Sequence, residues 1–176
     1  MNSHETLLEF LRSLEDETFG ETKTSPRVAK AIGSFVDGSS LPFQHIFFAP
    51  FDAAHKESIE NRHGRKIPDE YFSFLIHHNG GRLFRKRLVL MGYPVFGDTF
   101  GQPIDFVFED VYSRPPNIPD HWFAIGGYAT SDSNNSLLMA AKDGRIYLLI
   151  DNSPVNSWAN LAACLQELKS NLLRDG

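Results

Sequence analysis

The chain of 176 residues has a single cysteine, Cys164, so it can form neither an internal disulfide nor a cysteine-rich metal site. No apolar run approaches the ~20 residues that a membrane span needs. The amino terminus, MNSHETLLEFLRSLEDE, lacks the basic and unbroken apolar regions of a signal peptide. A net charge of −5 is not typical of a nucleic-acid binder. We therefore expect a cytoplasmic protein with no direct contact to nucleic acid or membrane.

The chain also lacks the motifs of familiar catalytic sites. The stretch GDTFGQP has no Lys-Ser/Thr of a phosphate-binding loop, and no Gly-x-Ser-x-Gly elbow is present. The pair Gly126-Gly127 follows a predicted strand but opens no helix, so the dinucleotide-binding pattern fails. His77 and His78 are adjacent and would point about 100° apart on a helix, so they cannot ligate one metal together. The sequence predicts no catalytic residue, no metal site and no cofactor.

Residues 67–81, IPDEYFSFLIHHNGG, predict a buried helix with a defined end. Pro68 suits the first helical position, and the two acids after it place negative charge where the helix dipole favours it. Apolar residues lie on more than one face, as in a helix packed between layers. Asn79-Gly80-Gly81 tolerate the positive φ of a helix C-terminus, which we expect at Gly80 or Gly81. A His-Asn nuclease site here would need further metal ligands in register, and the sequence shows none.

Four further helices are predicted. The first is amphipathic and covers residues 3–16. The second begins at Ser25-Pro26 and continues through Phe35. The third lies between Asp52, which can cap it, and Gly64, which can end it. The fourth is C-terminal and carries an apolar stripe of Trp158, Leu161, Cys164, Leu165, Leu168 and Leu172. The thiol on this stripe is expected to lie in the core.

Shorter apolar segments between these helices indicate strands. Residues 45–51 fit a strand or a packed loop, and residues 104–112 alternate as in a half-buried strand. Residues 121–130 predict a short strand that ends at the glycine pair. Residues 136–150 predict a hairpin with an Asp-Gly turn. This order predicts an α+β fold, with a mainly antiparallel sheet of about five or six strands and helices packed on one side.

Positive charge is concentrated in residues 62–87, which carry a net +5 against −10 for the remainder of the chain. If residues 82–87 form one strand, Arg85 and Arg87 share a face and Lys86 points the other way. Such a face is either solvated or available to an acidic partner, and both alternatives stay open. Surface loops commonly carry binding specificity, so the polar loop 131–136 is a second candidate. The candidate partner-binding residues are Arg82, Arg85, Arg87, Asp132 and Asn134.

Three segments in order resemble the domain of the SUKH superfamily: ESIENRHGRKIPDEYFSFLIHHNGG, WFAIGGYATSDSNNSLLMAAKDGRIYLLI and VNSWANLAACLQEL. The resemblance covers roughly residues 53–173. This superfamily includes Smi/Knr-type regulators of fungal cell-wall synthesis and many bacterial immunity proteins, which neutralise a cognate toxin that is often a nuclease. The resemblance implies a non-enzymatic, protein-binding role and carries over no catalytic residue.

Two functions fit this resemblance. The first is an immunity protein bound to a cognate toxin, and the alternative is an intracellular scaffold or regulator of the cell-wall-synthesis type, without a toxin partner. An enzyme has no positive support in the sequence. We expect residues 1–50 to be an N-terminal helical extension packed on the SUKH-like domain of residues 51–176, in a single globular unit.

Overall fold

The computed structural model describes residues 3–17, 21–23, 30–33, 44–94, 103, 105–106, 114–129 and 136–174. Within these residues the chain forms four α-helices and nine β-strands. The helices are α1 (Ser3–Glu17), α2 (Lys56–His63), α3 (Asp69–Leu75) and α4 (Leu161–Arg174). The strands are β1 (Glu21–Lys23), β2 (Lys30–Gly33), β3 (His45–Phe47), β4 (Gly81–Leu83), β5 (Leu88–Leu90), β6 (Phe123–Tyr128), β7 (Ser136–Ala140), β8 (Ile146–Ile150) and β9 (Ser153–Trp158).

The nine strands form one antiparallel sheet in chain order, from β1 to β9. The α+β fold class is confirmed, but the sheet is larger than the five or six strands predicted. The extra strands include β1 and β2, which have only three and four residues. Segments this short are too brief to show the alternation of apolar and polar residues that identifies a strand.

A single row of paired residues crosses most of the sheet and forms part of its core. Large apolar side chains and glycines alternate along the first part of this row. In order, it contains Phe47, Gly81, Leu90, Gly126, Leu138, Leu148 and Asn156. Helical segments contact the same face, since Phe47 packs on the His78 ring after α3 and Asn156 Nδ2 donates to Glu167 of α4.

The terminal helices α1 and α4 pack against each other and close the core. The predicted first helix is confirmed as α1, whose buried residues are Leu7, Phe10, Leu11 and Leu14. In α4 the thiol of Cys164 is fully buried, and burial raises its pKa. The prediction of a core thiol is therefore confirmed.

The predicted second helix is wrong where the structure describes it. Residues 30–33 form β2, which pairs with β1 on one side and β3 on the other. Ile32 is fully buried opposite His45, so its burial comes from strand pairing. The Ser-Pro start signal is local, and pairing with neighbouring strands overrides such local preferences. The remainder of the predicted helix lies outside the described residues.

Trp158 ends β9 and does not lie on the C-terminal helix as predicted. Strands β8 and β9 are joined by Asp151 and Asn152, whose φ values of 48° and 66° are those of a type I′ hairpin turn. The buried indole donates from Nε1 to Glu167 Oε2 of α4 at 2.8 Å. Trp158 lies in a strand but packs against α4, and its position in the sequence continues the apolar spacing of that helix. The sequence pattern therefore placed it on the helix.

Among the remaining strand predictions, two are confirmed, and a third is confirmed as a strand but ends later than predicted. Residues 45–47 form β3, and the Asp-Gly hairpin joins β7 to β8 with Gly144 at φ 83°. The strand predicted to end at the glycine pair instead runs through it, because β6 continues to Tyr128. Of the predicted strand 104–112 only residues 105–106 are described, and Asp105 forms an isolated bridge to Gly92.

Candidate functional site

Helix α3 supports the sheet through a buried tyrosine. The hydroxyl of Tyr71 lies within hydrogen-bonding distance of two carbonyl oxygens, those of Met91 and Ile125. Met91 directly follows β5, and Ile125 lies in β6. Burial raises the pKa of this phenol well above its ordinary value, so the hydroxyl remains a donor. Tyr71, Phe74 and Leu75 are all buried, which confirms the prediction of a buried helix.

The Asn-Gly-Gly segment after α3 holds the chain against the end of β5. Asn79 is 4% exposed, and its side-chain amide accepts from Tyr93 N–H and donates to Tyr93 C=O, both at 2.7 Å. Gly80 has φ 84°, so the predicted positive φ is confirmed there. A Cβ on Gly80 would lie 2.7 Å from the Leu90 carbonyl oxygen, so no larger residue fits without displacement.

The paired histidines lie just beyond α3. His77 is exposed, whereas His78 is half-buried with its ring centroid 4.7 Å from that of Phe47. Within the part of the chain that the structure describes, no three His, Cys, Asp or Glu side chains lie close enough to hold a metal ion. No described helix is long and apolar enough to cross a membrane.

Two acids of the helical region act as hydrogen-bond acceptors for the backbone. Glu60 is 6% exposed and accepts from Ile67 N–H at 2.9 Å and from Lys66 Nζ at 2.8 Å. Glu70 Oε1 accepts from Leu161 N–H, at the first residue of α4, at 3.1 Å. Burial raises the pKa of Glu70, and the bond from Leu161 partly opposes that rise. Both carboxylates thus connect elements of the fold.

Residues 84–87 form the turn between β4 and β5, which we call the basic turn. Phe84, Arg85 and Lys86 have φ values of 51°, 55° and 68°, a left-handed conformation that is uncommon in residues other than glycine. Residues 82–87 therefore do not form one strand, and Arg85 and Arg87 are not related as alternate residues of a strand. Backbone conformations of this kind persist only where the surroundings impose them.

Neighbouring strands hold the basic turn in place. Arg85 N–H donates to Gln44 C=O at 2.9 Å, and Ala129 N–H donates to Arg87 C=O at 2.7 Å. Phe84 N–H points at Nδ1 of His45 at 3.4 Å. Burial of His45, assisted by the charge of Lys169, lowers its pKa from 6.5 to about 4. The imidazole is therefore neutral near pH 7 and can accept this hydrogen bond.

The basic turn displays cations that have no counter-charge among the residues the structure describes. Arg85 and Lys86 are exposed and Arg87 is half-buried, and none of them forms an ion pair with a described residue. Arg82 is half-buried in β4, with its guanidinium carbon 5.6 Å from the centroid of the Phe48 ring. The structure thus brings the three predicted arginines into one hairpin. The other two candidates, Asp132 and Asn134, lie outside the described residues.

A second feature was missed by sequence reasoning. A cleft of about 640 Å³ lies between the α2–α3 connection and residues 120–123. One wall is Trp122, whose ring stacks on Tyr147 with 3.9 Å between centroids and 17° between planes. The lining residues come from separate segments of the chain, so no local sequence signal indicates this cleft.

These features define an α+β protein in which buried polar groups stabilise the scaffold, while a basic turn and a cleft lie at its surface. Residues 50–168 match the SMI1/KNR4 family (SUKH-1), and the chain belongs to that family. The match includes α2, α3 and all strands from β4 to β9, which confirms the resemblance to the SUKH superfamily. No curated protein matches the chain.

Proposed function

We propose that this protein is a non-enzymatic binding domain that neutralises a cognate toxin in the cytoplasm. The basic turn is the observation that carries this proposal. It places Arg85 and Lys86 at the surface, without a described counter-charge, on a backbone that hydrogen bonds from both sides keep rigid. A fixed backbone favours binding because the turn itself loses little conformational entropy when a partner docks.

The distribution of buried polar groups favours binding over catalysis. Tyr71, Asn79, Glu60 and Glu70 each make hydrogen bonds that connect secondary-structure elements. A catalytic site needs titratable groups arranged around a reacting atom, whereas these four are used in the scaffold. Membership of the SMI1/KNR4 family supports the same conclusion, since the family is linked to protein–protein interaction.

The chemistry of the basic turn indicates an acidic surface on the partner. Arginine makes two parallel hydrogen bonds to a carboxylate, and a positive patch raises the association rate of an acidic protein. For a nuclease toxin, whose nucleic-acid-binding face must be basic, the contact would lie outside that face. The basic turn would then inhibit the toxin from a neighbouring surface.

The test begins with affinity capture of the partner from the native host, followed by growth rescue from the captured protein. The double variant Arg85→Glu/Lys86→Glu should then lower the association rate and flatten its salt dependence. Arg62→Glu is the matched control, because Arg62 is exposed on α2 within the same basic segment. Unchanged association of the double variant at both low and high salt would contradict a role for the basic turn.

The second candidate is an intracellular scaffold or regulator of the cell-wall-synthesis type. The match to the SMI1/KNR4 family favours it, since that family is named for regulators of this kind. An immunity protein should form one tight stoichiometric complex and abolish the activity of its partner. A scaffold should bind several partners weakly and rescue no growth. The capture experiment therefore distinguishes the two functions.

A further inference from the structure

The cleft beside Trp122 has a rigid outer wall. Arg114 donates from its guanidinium to the carbonyl oxygens of Trp122 at 2.7 Å and Ile118 at 3.4 Å, and also to that of Pro119. Trp122 N–H donates to Pro119 C=O at 3.0 Å. The indole is also stacked on Tyr147, so both its backbone and its ring are fixed before any ligand arrives. A prearranged aromatic wall reduces the entropy cost of binding.

The opposite wall is the connection between α2 and α3, which is equally fixed. Glu60 uses one oxygen for Ile67 N–H and the other for Lys66 Nζ, so this buried carboxylate is already satisfied. Arg65 joins the two walls, because its Nη1 donates to the Asp120 carbonyl oxygen at 3.0 Å. The cleft is therefore preformed, and its volume of about 640 Å³ lies in the usual range of ligand sites.

Three acids line the cleft, and each is paired with a cation that also lines it. The pairs are Glu60 with Lys66, Asp69 with Lys56, and Asp120 with Arg65. The charged group left outside these pairs is a donor. Lys142 is exposed in the β7–β8 turn and forms no ion pair with any described residue. The indole Nε1–H of Trp122 has no acceptor among the described residues. Ile67, Pro68 and Phe123 form the buried apolar floor of the cleft, and the half-buried Trp122 ring is the apolar side chain that a ligand can reach. A ligand that satisfies this arrangement has a carboxylate next to an apolar side chain.

From this geometry we infer that the cleft is a docking site for a short acidic and apolar segment of a partner polypeptide. The apolar side chain would contact Trp122, and the carboxylate would pair with Lys142. The site is distinct from the basic turn. Phe123 is the first residue of β6. Ala129, whose N–H donates to the Arg87 carbonyl oxygen, directly follows the last residue of β6. Six strand residues separate the two sites by about 20 Å.

The test measures binding of a labelled, end-blocked hexapeptide of alternating Glu and Phe to the full chain by fluorescence anisotropy. Saturable binding is expected, and a hexapeptide of alternating Lys and Phe should bind more weakly. Lys142→Glu should weaken binding of the acidic peptide about fivefold or more, as expected for loss of an exposed ion pair and its replacement by repulsion. Arg62→Glu, with the same charge change at an exposed residue that does not line the cleft, should leave binding unchanged.

Tryptophan fluorescence locates the peptide, because the only other tryptophan, Trp158, is buried beside Glu167. The peptide should quench the wild-type signal but leave that of the Trp122→Phe variant unchanged. The inference would be overturned if the acidic peptide did not bind saturably, or if the Lys-Phe peptide bound as tightly as the acidic one. It would also be overturned if the Lys142→Glu variant bound the acidic peptide as tightly as the wild type does. Displacement of the acidic peptide by single-stranded DNA would also overturn it. None of these measurements involves the toxin or the basic turn, so this inference and the proposed function can fail separately.

Discussion

His45 and Phe84 are joined by two contacts at the start of the basic turn. The backbone N–H of Phe84 points at Nδ1 of His45 at 3.4 Å, and the two rings meet edge to face with 4.8 Å between centroids. Phe84 is the first of three successive residues with positive φ. A buried, neutral imidazole in β3 thus supports the backbone conformation that presents Arg85 and Lys86 to solvent.

The first prediction concerns stability against pH. The pKa of His45 is 6.5 in the unfolded chain but about 4 in the folded protein. Between these values the unfolded state holds more protons, so acidification must lower the free energy of unfolding, by on the order of 3 kcal/mol in total. The free energy of unfolding should be measured by denaturant unfolding for the wild type and His45→Gln at pH 7, 5.5 and 4.5. It should fall less on acidification in the variant than in the wild type. Equal slopes for wild type and His45→Gln would disprove the assignment.

The second prediction compares two glycines of positive φ. Gly64 ends α2 at φ 66°, and a Cβ added there would meet no atom within 4 Å, whereas one added to Gly80 at φ 84° would lie 2.7 Å from the Leu90 carbonyl oxygen. Asparagine tolerates the left-handed region, so Gly64→Asn should change stability by less than about 1 kcal/mol. Gly80→Asn should cost about 2 kcal/mol or more, because the backbone of β5 must shift. Thermal melts of the two variants measure the difference, and equal melting temperatures would contradict the prediction.

The third prediction concerns the contact between Asn79 and Tyr93. Asn79→Ala removes both hydrogen bonds and leaves the backbone N–H and C=O of Tyr93 without their partner. Tyr93 is half-buried, so water can partly replace Asn79, and a loss of about 1–3 kcal/mol is expected in urea unfolding. His77→Gln, two residues earlier and exposed, is the control and should be nearly neutral. A loss below about 1 kcal/mol in Asn79→Ala would show that the contact is not stabilising.

The fourth prediction concerns Glu70, which caps α4 from another helix. Glu70→Ala leaves Leu161 N–H without its acceptor and should cost about 1–2 kcal/mol, as loss of an N-cap does. Glu70→Gln keeps a side-chain oxygen that can accept this hydrogen bond and avoids burying a charge. This variant should therefore retain most of the wild-type stability at pH 7. Unfolding followed by circular dichroism would measure both. Equal losses in Ala and Gln would show that the carboxylate charge, and not its role as acceptor, is what matters.

Several elements could be predicted from the sequence because their signals are local. Asp52 accepts from Ala54 N–H at 2.9 Å, and Gly64 takes the left-handed position that ends α2. The Asp-Gly hairpin and the apolar face of α1 depend likewise on residues within a few positions of one another. Caps, turns and helical periodicity act over that range, so a single sequence contains all the information they need. Helix α3 ends at Leu75, before the Asn-Gly-Gly segment at which its end was predicted.

The tertiary structure alone decided the features in which distant residues meet. Residues 30–33 became a strand because β1 and β3 supply hydrogen bonds on both sides. Residues 84–87 became a turn because residues before β3 and after β6 hold their backbone. Glu70 accepts a hydrogen bond from the backbone N–H of Leu161, which lies 91 positions away in the sequence. The cleft is assembled from separate segments in the same way. A strand of three residues has no periodicity of its own, and the acceptor that satisfies a buried N–H is chosen by packing, so neither can be predicted from the local sequence.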